Sequence, residues 1–316
     1  MNEIKVTVLM PAYNTEKYIG EAIQSILDQT FTSFELLIVN DGSTDNTETI
    51  IKAFDDPRIV LINQPNGGVS KALNTGLRCA RAKYVARFDA DDICCPERLE
   101  TQFRFMEANP EYLITGSNAE YIDQNSEYIF SFRCPAFRDQ EIRSLAFHHC
   151  PFLHVAVMYH TQAVVGCGGY DENAHTFEDH LLWATLIHQG KVCNLRESLV
   201  KVRFNPESLT IDEKWRGRRF NELKYAAIQK RSITKKEGDE ILSIIRNQDT
   251  SSIKKGAYYS LLAKKYLWNN YQPVKARKNI RQLIRASPFK TEAYFLFVLS
   301  FLPAFLVRRV YDMKRR

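Results

Sequence analysis

The chain has 316 residues, of which 45% are hydrophobic and 25% charged. That is enough for one or two domains with a real core, and it excludes a low-complexity or fibrous chain. The net charge of +6 hides an asymmetry: residues 1–213 hold 18 Lys/Arg against 30 Asp/Glu, and residues 214–316 hold 25 against 7. An acidic body is thus followed by a basic region suited to an anionic surface.

In chain order, Ile4–Met10 is a short apolar run ended by Pro11, and Tyr18–Leu27 carries helical spacing through Ile19, Ala22, Ile23, Ile26 and Leu27. Phe34–Val39 is a second apolar run that closes in Asn40-Asp41-Gly42, after which Ser43 or Thr44 is expected to cap a helix through Ile50, Ile51 and Phe54. Ile59–Ile62, a helix from about Ser70 to Ala80, and the strand Tyr84–Phe88 complete the alternation. Nearly continuous apolar strands alternating with helices predict a mostly parallel, Rossmann-like α/β sheet covered on both faces. Ligands of such sheets bind beyond the carboxyl ends of the strands, where Pro11–Asn14, Asp41–Asn46 and Asp89–Asp92 fall.

From Glu97 the pattern mixes: a helix Glu97–Ala108, a strand Tyr112–Ile122, a strand Phe152–Tyr159, a loop Gly166–Thr176 and a helix Phe177–His188. Beyond Asn205-Pro206 the residues up to Leu283 read as basic amphipathic helices. Ala293–Val307 is mostly apolar, interrupted by Pro303 and followed by Arg308-Arg309 and Lys314-Arg315-Arg316. It is short for a spanning helix, which wants about 20 residues. A helix lying at an anionic membrane interface fits, and a core helix ending in charge is the alternative. The expected division is 1–205, with a nucleotide-binding half 1–95 and an acceptor and catalytic half 96–205, then a basic helical region 206–290 and a membrane-associating tail 291–316. The seven cysteines form no Cys-x-x-Cys pair, and Met1–Lys5 leads straight into a strand-like run. Both features point to a reduced, cytoplasmic protein.

Three carboxylates crowd at Asp89-Ala90-Asp91-Asp92 after a buried strand. Like charges at that spacing need compensation, and hard oxygen ligands there suit Mg²⁺ or Mn²⁺; an acidic turn capping the next helix is the plainer reading. Asn66-Gly67-Gly68-Val69-Ser70 opens a helix with backbone N–H groups placed for an anion, and Lys71 follows. Glu178-Asp179-His180 stands at a helix start, where acidic residues also serve the helix dipole. His148, His149, Cys150 and His154 do not have a usual zinc spacing.

Taken together, Pro11-Ala12-Tyr13-Asn14, Asn40-Asp41-Gly42-Ser43-Thr44-Asp45, Asn66-Gly67-Gly68-Val69-Ser70 with Asn74-Thr75-Gly76, Phe88-Asp89-Ala90-Asp91-Asp92, Gly168-Gly169-Tyr170-Asp171 and Glu178-Asp179 resemble the family 2 inverting glycosyltransferases of GT-A fold. The resemblance covers roughly residues 4–205. It implies that Pro11, Ala12, Tyr13 and Asn14 shape a nucleotide pocket and that Asp41 hydrogen-bonds the base, usually uracil. Lys71 and Asn74 would face the nucleotide, and Asp89, with Ala90 beside it, would contact ribose or metal. Asp91 would ligate Mn²⁺ or Mg²⁺, and Asp179 would be the catalytic base with Glu178 or His180 supporting it. His154 is a candidate diphosphate or metal contact, a satisfied structural histidine being the alternative.

The implied reaction moves a sugar from a nucleotide-diphosphate donor, UDP favoured over GDP or dTDP, to a hydroxyl with inversion. The implied acceptor is a lipid-linked glycan of lipopolysaccharide or capsule, with polyprenyl phosphate as the alternative. The expected location is the cytoplasmic face of the plasma membrane. A dinucleotide-dependent oxidoreductase would need Gly-x-Gly-x-x-Gly where Pro11–Asn14 stands. The basic region runs into an apolar stretch and matches no nucleic-acid module, so a nucleic-acid partner is not expected. An inactive relative is disfavoured by the presence of Asp41, Asp89, Asp91 and Asp179.

Overall fold

The computed structural model describes residues 3–204, 216–248 and 251–315; the expected boundary at 205/206 and the terminal Arg316 lie outside them. The chain divides into two compact units, residues 1–120, 131–202 and 219–242, and residues 121–130, 203–218 and 243–316.

The first unit is built on β1 (Val6–Ala12), β2 (Phe34–Asn40), β3 (Ile59–Asn63) and β4 (Tyr84–Arg87), which lie side by side in the order β3-β2-β1-β4, all parallel. Helices α1 (Ile19–Leu27), α2 (Thr47–Lys52) and α3 (Val69–Cys79) make the crossovers. The strand pleat sorts side chains by parity. Val6, Val8, Met10, Leu36 and Ile38 enter one core layer with α1, while Leu9, Leu37 and Val39 enter the other with α3. Both faces are therefore buried, which is why these strands read as continuous apolar runs. Gly76 of α3 lets that helix close on the sheet, since a Cβ there would lie 2.0 Å from Leu9 Cδ1.

β1 continues through Pro11 instead of stopping before it. Its pairing with β4 ends at Leu9, so Pro11, which has no N–H to donate, needs a neighbour only on the β2 side.

The other strands are β5 (Ile93–Cys94), β6 (Tyr112–Ile122), β7 (Tyr128–Phe132), β8 (Met158–His160) and β9 (Lys191–Arg203), extending the sheet as β4-β8-β6-β9-β5, with β7 on β6. β8 runs antiparallel to β4, pairing Tyr84 with His160 and Ala86 with Met158. The strand expected over Phe152–Tyr159 is a correction: His154–Ala156 is a 3-10 turn and only Met158–His160 is extended. α4 (Arg98–Ala108), α5 (Asp139–Leu145), α6 (Thr161–Gly166), α7 (Glu178–Leu186) and α8 (Arg218–Lys230) cover the sheet, followed by α9 (Lys235–Asn247).

The second unit is mainly helical: α10 (Ser251–Trp268), α11 (Pro273–Ala286), α12 (Thr291–Leu299) and α13 (Ala304–Arg315). The apolar segment 293–307 is split by Pro303 into the end of α12 and the start of α13. Among the described residues no helix is long and apolar enough to cross a membrane.

Candidate active site

Three loops leave the carboxyl ends of β1, β2 and β4, and the first two are clasped to each other. Asn14, with φ of 51°, accepts the Thr44 N–H on Oδ1 at 2.8 Å, and its own N–H donates to Ser43 Oγ at 3.0 Å. Thr15 N–H donates to Thr47 Oγ1 at 2.8 Å and Glu16 N–H to Asp45 Oδ2 at 3.0 Å. Ser43 and Thr44 therefore hold loops together, and the helix expected to start on them begins only at Thr47, whose N–H is taken by Asp45 Oδ1 at 3.0 Å. Asn14, expected to meet a nucleotide, uses its amide oxygen as the clasp. Pro11 and Ala12 are the last residues of β1, and Tyr13, just past its end, is half exposed above the loops.

Asp41 is buried and saturated. Gln64 Nε2 donates to Oδ1 at 2.6 Å, Gly67 N–H to Oδ1 at 2.9 Å and Gly68 N–H to Oδ2 at 2.8 Å. The anion that the glycine-rich turn receives is thus the protein's own carboxylate. Lys71 is exposed on the first turn of α3, its stem lying where a Gly67 side chain would begin, 2.3 Å from an ideal Cβ.

Asn74, expected to face the nucleotide, is engaged within the protein. Its Nδ2 donates to the Tyr170 carbonyl and its Oδ1 accepts the Tyr170 N–H, both at 2.8 Å. Its amide fixes the loop Gly168-Gly169-Tyr170. Gly169, at φ of 78°, brings that loop so close that a Cβ would lie 2.5 Å from Asn74 Oδ1. The clamp places the Tyr170 hydroxyl 3.0 Å from His154 Nε2 and 3.5 Å from the Tyr159 hydroxyl. His154 stands among Tyr170 and Trp183, ring centroids 5.4 and 5.8 Å away. Burial, reinforced by Arg87, holds its imidazole well below the usual range, hence neutral.

Asp89, Ala90 and Asp91 leave the end of β4. The buried Arg87 donates to Asp89 through Nη1. Burial works against the Arg87 charge, and Asp89 with Tyr170 and Asp92 more than offsets it, so the guanidinium stays firmly protonated. Asp91 is half-buried beside them. Among the described residues no three His, Cys, Asp or Glu side chains are gathered as a metal-holding group, and His148 and His149 are exposed. The expected trio Asp89, Asp91 and His154 is therefore not a preformed cage, with His154 turned to Tyr170. Asp91 and the 35% exposed Asp89 side chain do fit Mg²⁺ or Mn²⁺, which keep water and phosphate oxygens as remaining ligands.

Glu178 and Asp179 begin α7, preceded by Thr176 at φ of 72°. Asp179 Oδ1 accepts the His180 N–H at 2.6 Å, and Oδ2 lies 3.5 Å from the Cys150 thiol. Glu178 is buried, and its Oε2 has no hydrogen-bond partner. Burial, then the charges of Asp179 and Asp89, push its carboxyl up to about 7 despite Arg87 and its own N–H. Burial and Asp179 likewise keep the Cys150 thiol well above its ordinary value. His180 is pinned by the Ala146 carbonyl, 2.6 Å from Nε2, with burial lowering its pKa.

Two cations in this group escaped the sequence. For Arg87 a signal was present, a lone charge in an apolar strand, and it was passed over. Lys224, on α8, had no such signal: burial lowers its pKa, and Asp179, Cys150 and Glu178 act against that. Its Nζ lies 5.9 Å from the Phe177 ring, while Phe220 of the same helix packs edge-on to Phe177 at 6.4 Å.

The model of the Glycosyl transferase family 2 matches residues 7–165. An uncharacterized glycosyltransferase of Haemophilus influenzae is 36% identical over 206 residues, covering 63% of this chain and 76% of the relative. The amylovoran biosynthesis glycosyltransferase AmsE of Erwinia amylovora is 30% identical over 215 residues, 66% of this chain and 80% of the relative. Against a Rickettsia bellii glycosyltransferase the match spans only 30% of the relative. Among solved structures, Staphylococcus aureus TarS 1–349 in complex with UDP-GlcNAc superposes with a TM-score of 0.57 at 17% identity, covering 98% of this chain and 92% of that one. The mannosyltransferase PcManGT of Pyrobaculum calidifontis, in complex with GDP-Man and Mn²⁺, gives 0.56 at 16% identity over 99% and 88%. These likenesses show the GT-A fold.

Proposed function

The chain belongs to glycosyl transferase family 2, and from that premise we propose that it is an inverting, divalent-metal-dependent enzyme of surface-polysaccharide assembly. It transfers a sugar from a nucleotide-diphosphate donor, UDP favoured, to a hydroxyl of a lipid-linked glycan. The observation that carries the reading is electrostatic: the Asp89 end of β4 and the Glu178-Asp179 start of α7 act on each other in one buried group with Arg87 and Lys224. The polysaccharide context rests on the relative AmsE, and donor class and metal on what TarS and PcManGT bind.

The chemistry divides between the two ends. Asp91, with Asp89, would hold a cation whose charge offsets that gained by a departing diphosphate. Asp179 takes the proton of the attacking hydroxyl, a contribution of about 10²–10⁴-fold. A single in-line displacement with one base needs no covalent nucleophile, so an α-linked donor gives a β-linked product. Cys150, kept as a thiol, donates towards Asp179 Oδ2, and His180 N–H fixes Oδ1, so the carboxylate is aimed from both sides.

The test is donor binding and hydrolysis across UDP-, GDP- and dTDP-sugars with Mn²⁺, Mg²⁺ or EDTA. One donor should turn over only with metal, Asp91→Ala should abolish this, and Asp179→Asn should retain donor binding while losing turnover. Turnover that survives EDTA, or Asp91→Ala, would overturn the reading.

A further inference from the structure

We propose that α12, the turn after it and the start of α13 form a docking surface for an anionic lipid bilayer, lying in the interface without crossing it. The inference stands apart from the transferase reading, because it uses no residue of the active site.

Phe289 is 96% exposed, Tyr294 50%, Phe295 43%, Val298 65%, Phe301 64% and Phe305 68%. On α12 these are one helical face, since Tyr294, Phe295 and Val298 are one and four positions apart while Ala293, Leu296 and Leu299 are buried. Six exposed large apolar side chains fall within 17 positions, whereas exposed apolar residues of soluble proteins are ordinarily scattered singly.

Charge identifies the occupant. Residues 243–316 hold 16 Lys/Arg against 3 Asp/Glu. Arg277 stacks its guanidinium 4.8 Å from the Phe301 ring and donates to the Ser300 carbonyl at 2.8 Å. Arg308 and Arg309 are exposed just beyond Phe305. Glu292 is the only acidic residue between positions 250 and 311, and Lys264 at 2.5 Å and Lys290 at 3.6 Å pair with it. A second copy of the chain would bring the same excess of positive charge against itself. A nucleic acid would satisfy the charge but offers no apolar phase for the phenylalanines. An anionic bilayer satisfies both, with rings below the headgroups and arginines at them. Pro303 suits this arrangement, because it interrupts the apolar segment between two helices each too short to span a bilayer.

The experiment is co-sedimentation of the full chain with vesicles of phosphatidylcholine alone and with phosphatidylglycerol added, alongside Phe301→Ser/Phe305→Ser and Arg308→Ser/Arg309→Ser. These positions are exposed, so far-ultraviolet dichroism should match the wild type. Binding is expected only with phosphatidylglycerol, weakened by salt, and the phenylalanine pair should weaken it at least about tenfold. The arginine pair should lower binding to anionic vesicles alone. Wild-type protein that stays in the supernatant with phosphatidylglycerol overturns the proposal. So does vesicle binding indifferent to the phenylalanines, tighter binding to DNA than to vesicles, or a dimer in solution that the phenylalanine pair dissolves.

Discussion

Replacing Glu178 by glutamine removes one titrating proton from the centre of the site. Its carboxyl is lifted from an ordinary 4.5 to about 7 by burial and by the neighbouring Asp179 and Asp89. Below pH 4.5 the folded and unfolded chains both carry the proton, and Glu178 imposes no penalty. Between there and about 7 the unfolded chain releases it first, the folded chain binds more protons, and stability falls as pH rises. Above 7 the whole difference is felt, about 3 kcal/mol at about 1.4 kcal/mol per tenfold. Glutamine is neutral throughout and nearly the same shape. Urea denaturation in EDTA should therefore find Glu178→Gln close to wild type near about pH 4.5 and more stable by up to about 3 kcal/mol near about pH 8.5. Groups outside the site titrate alike in the two proteins, so the difference reports this carboxyl together with the neighbours it acts on, Asp179 and Lys224. A stability difference that is flat across that range would mean Glu178 ionises normally, and the account of a buried, unpartnered Oε2 would be wrong.

Gly169→Ala should cost about 2–4 kcal/mol, because alanine is strained at positive φ and its Cβ displaces Asn74 from Tyr170. Asn74→Ala alone should cost less, and the double variant less than the sum; full additivity in urea melts would count against the clamp. Arg98 is wholly buried, donating from Nη2 to the Arg87 carbonyl at 2.7 Å and from Nε to Gln102 at 3.0 Å. Arg98→Met should destabilise by about 2–4 kcal/mol by orphaning both acceptors, and Arg98→Lys should recover little because it lacks the planar fork; a fully stable methionine variant would refute this. Lys224→Met should lower kcat for transfer about tenfold or more with donor KM little changed, and Lys224→Arg should recover much of it. Equal loss in the arginine variant would make Lys224 a packing residue.

The parallel half of the fold was legible because its signal is local. Strand pleat and helix turn write their periods into neighbouring residues, so Val6, Val8 and Met10 against Leu9 sort themselves before any contact is known. The strand-end positions of Asp41, Asp89 and Asp91 followed from the same alternation. What periodicity does not carry is which partner a polar side chain chooses. Asn14, Asn74 and Asp41 each read as ligand groups, yet Thr44, Tyr170 and the Gly67–Gly68 turn claim them. The segment 152–159 is apolar enough for a strand, but a turn at His154 is what brings the imidazole to Tyr170. Lys224 lies 45 positions beyond Asp179 on a helix of ordinary basic pattern, so only the fold joins them.

The pairing of charges suggests why the site carries so many groups for so small a reaction. Arg87 faces Asp89 and Lys224 acts on Asp179, while Glu178 is largely protonated below about 7 and His154 and His180 are neutral by burial. Each of these two cations acts on a carboxylate, so neither Asp89 nor Asp179 stands without a compensating charge. Asp91, half-buried at the same strand end as Asp89, is the carboxylate to which the proposed reading assigns the cation. On the proposed reading a diphosphate and its cation would add charge at the Asp89–Asp91 end of β4, while Asp179, under the influence of Lys224, would accept the proton.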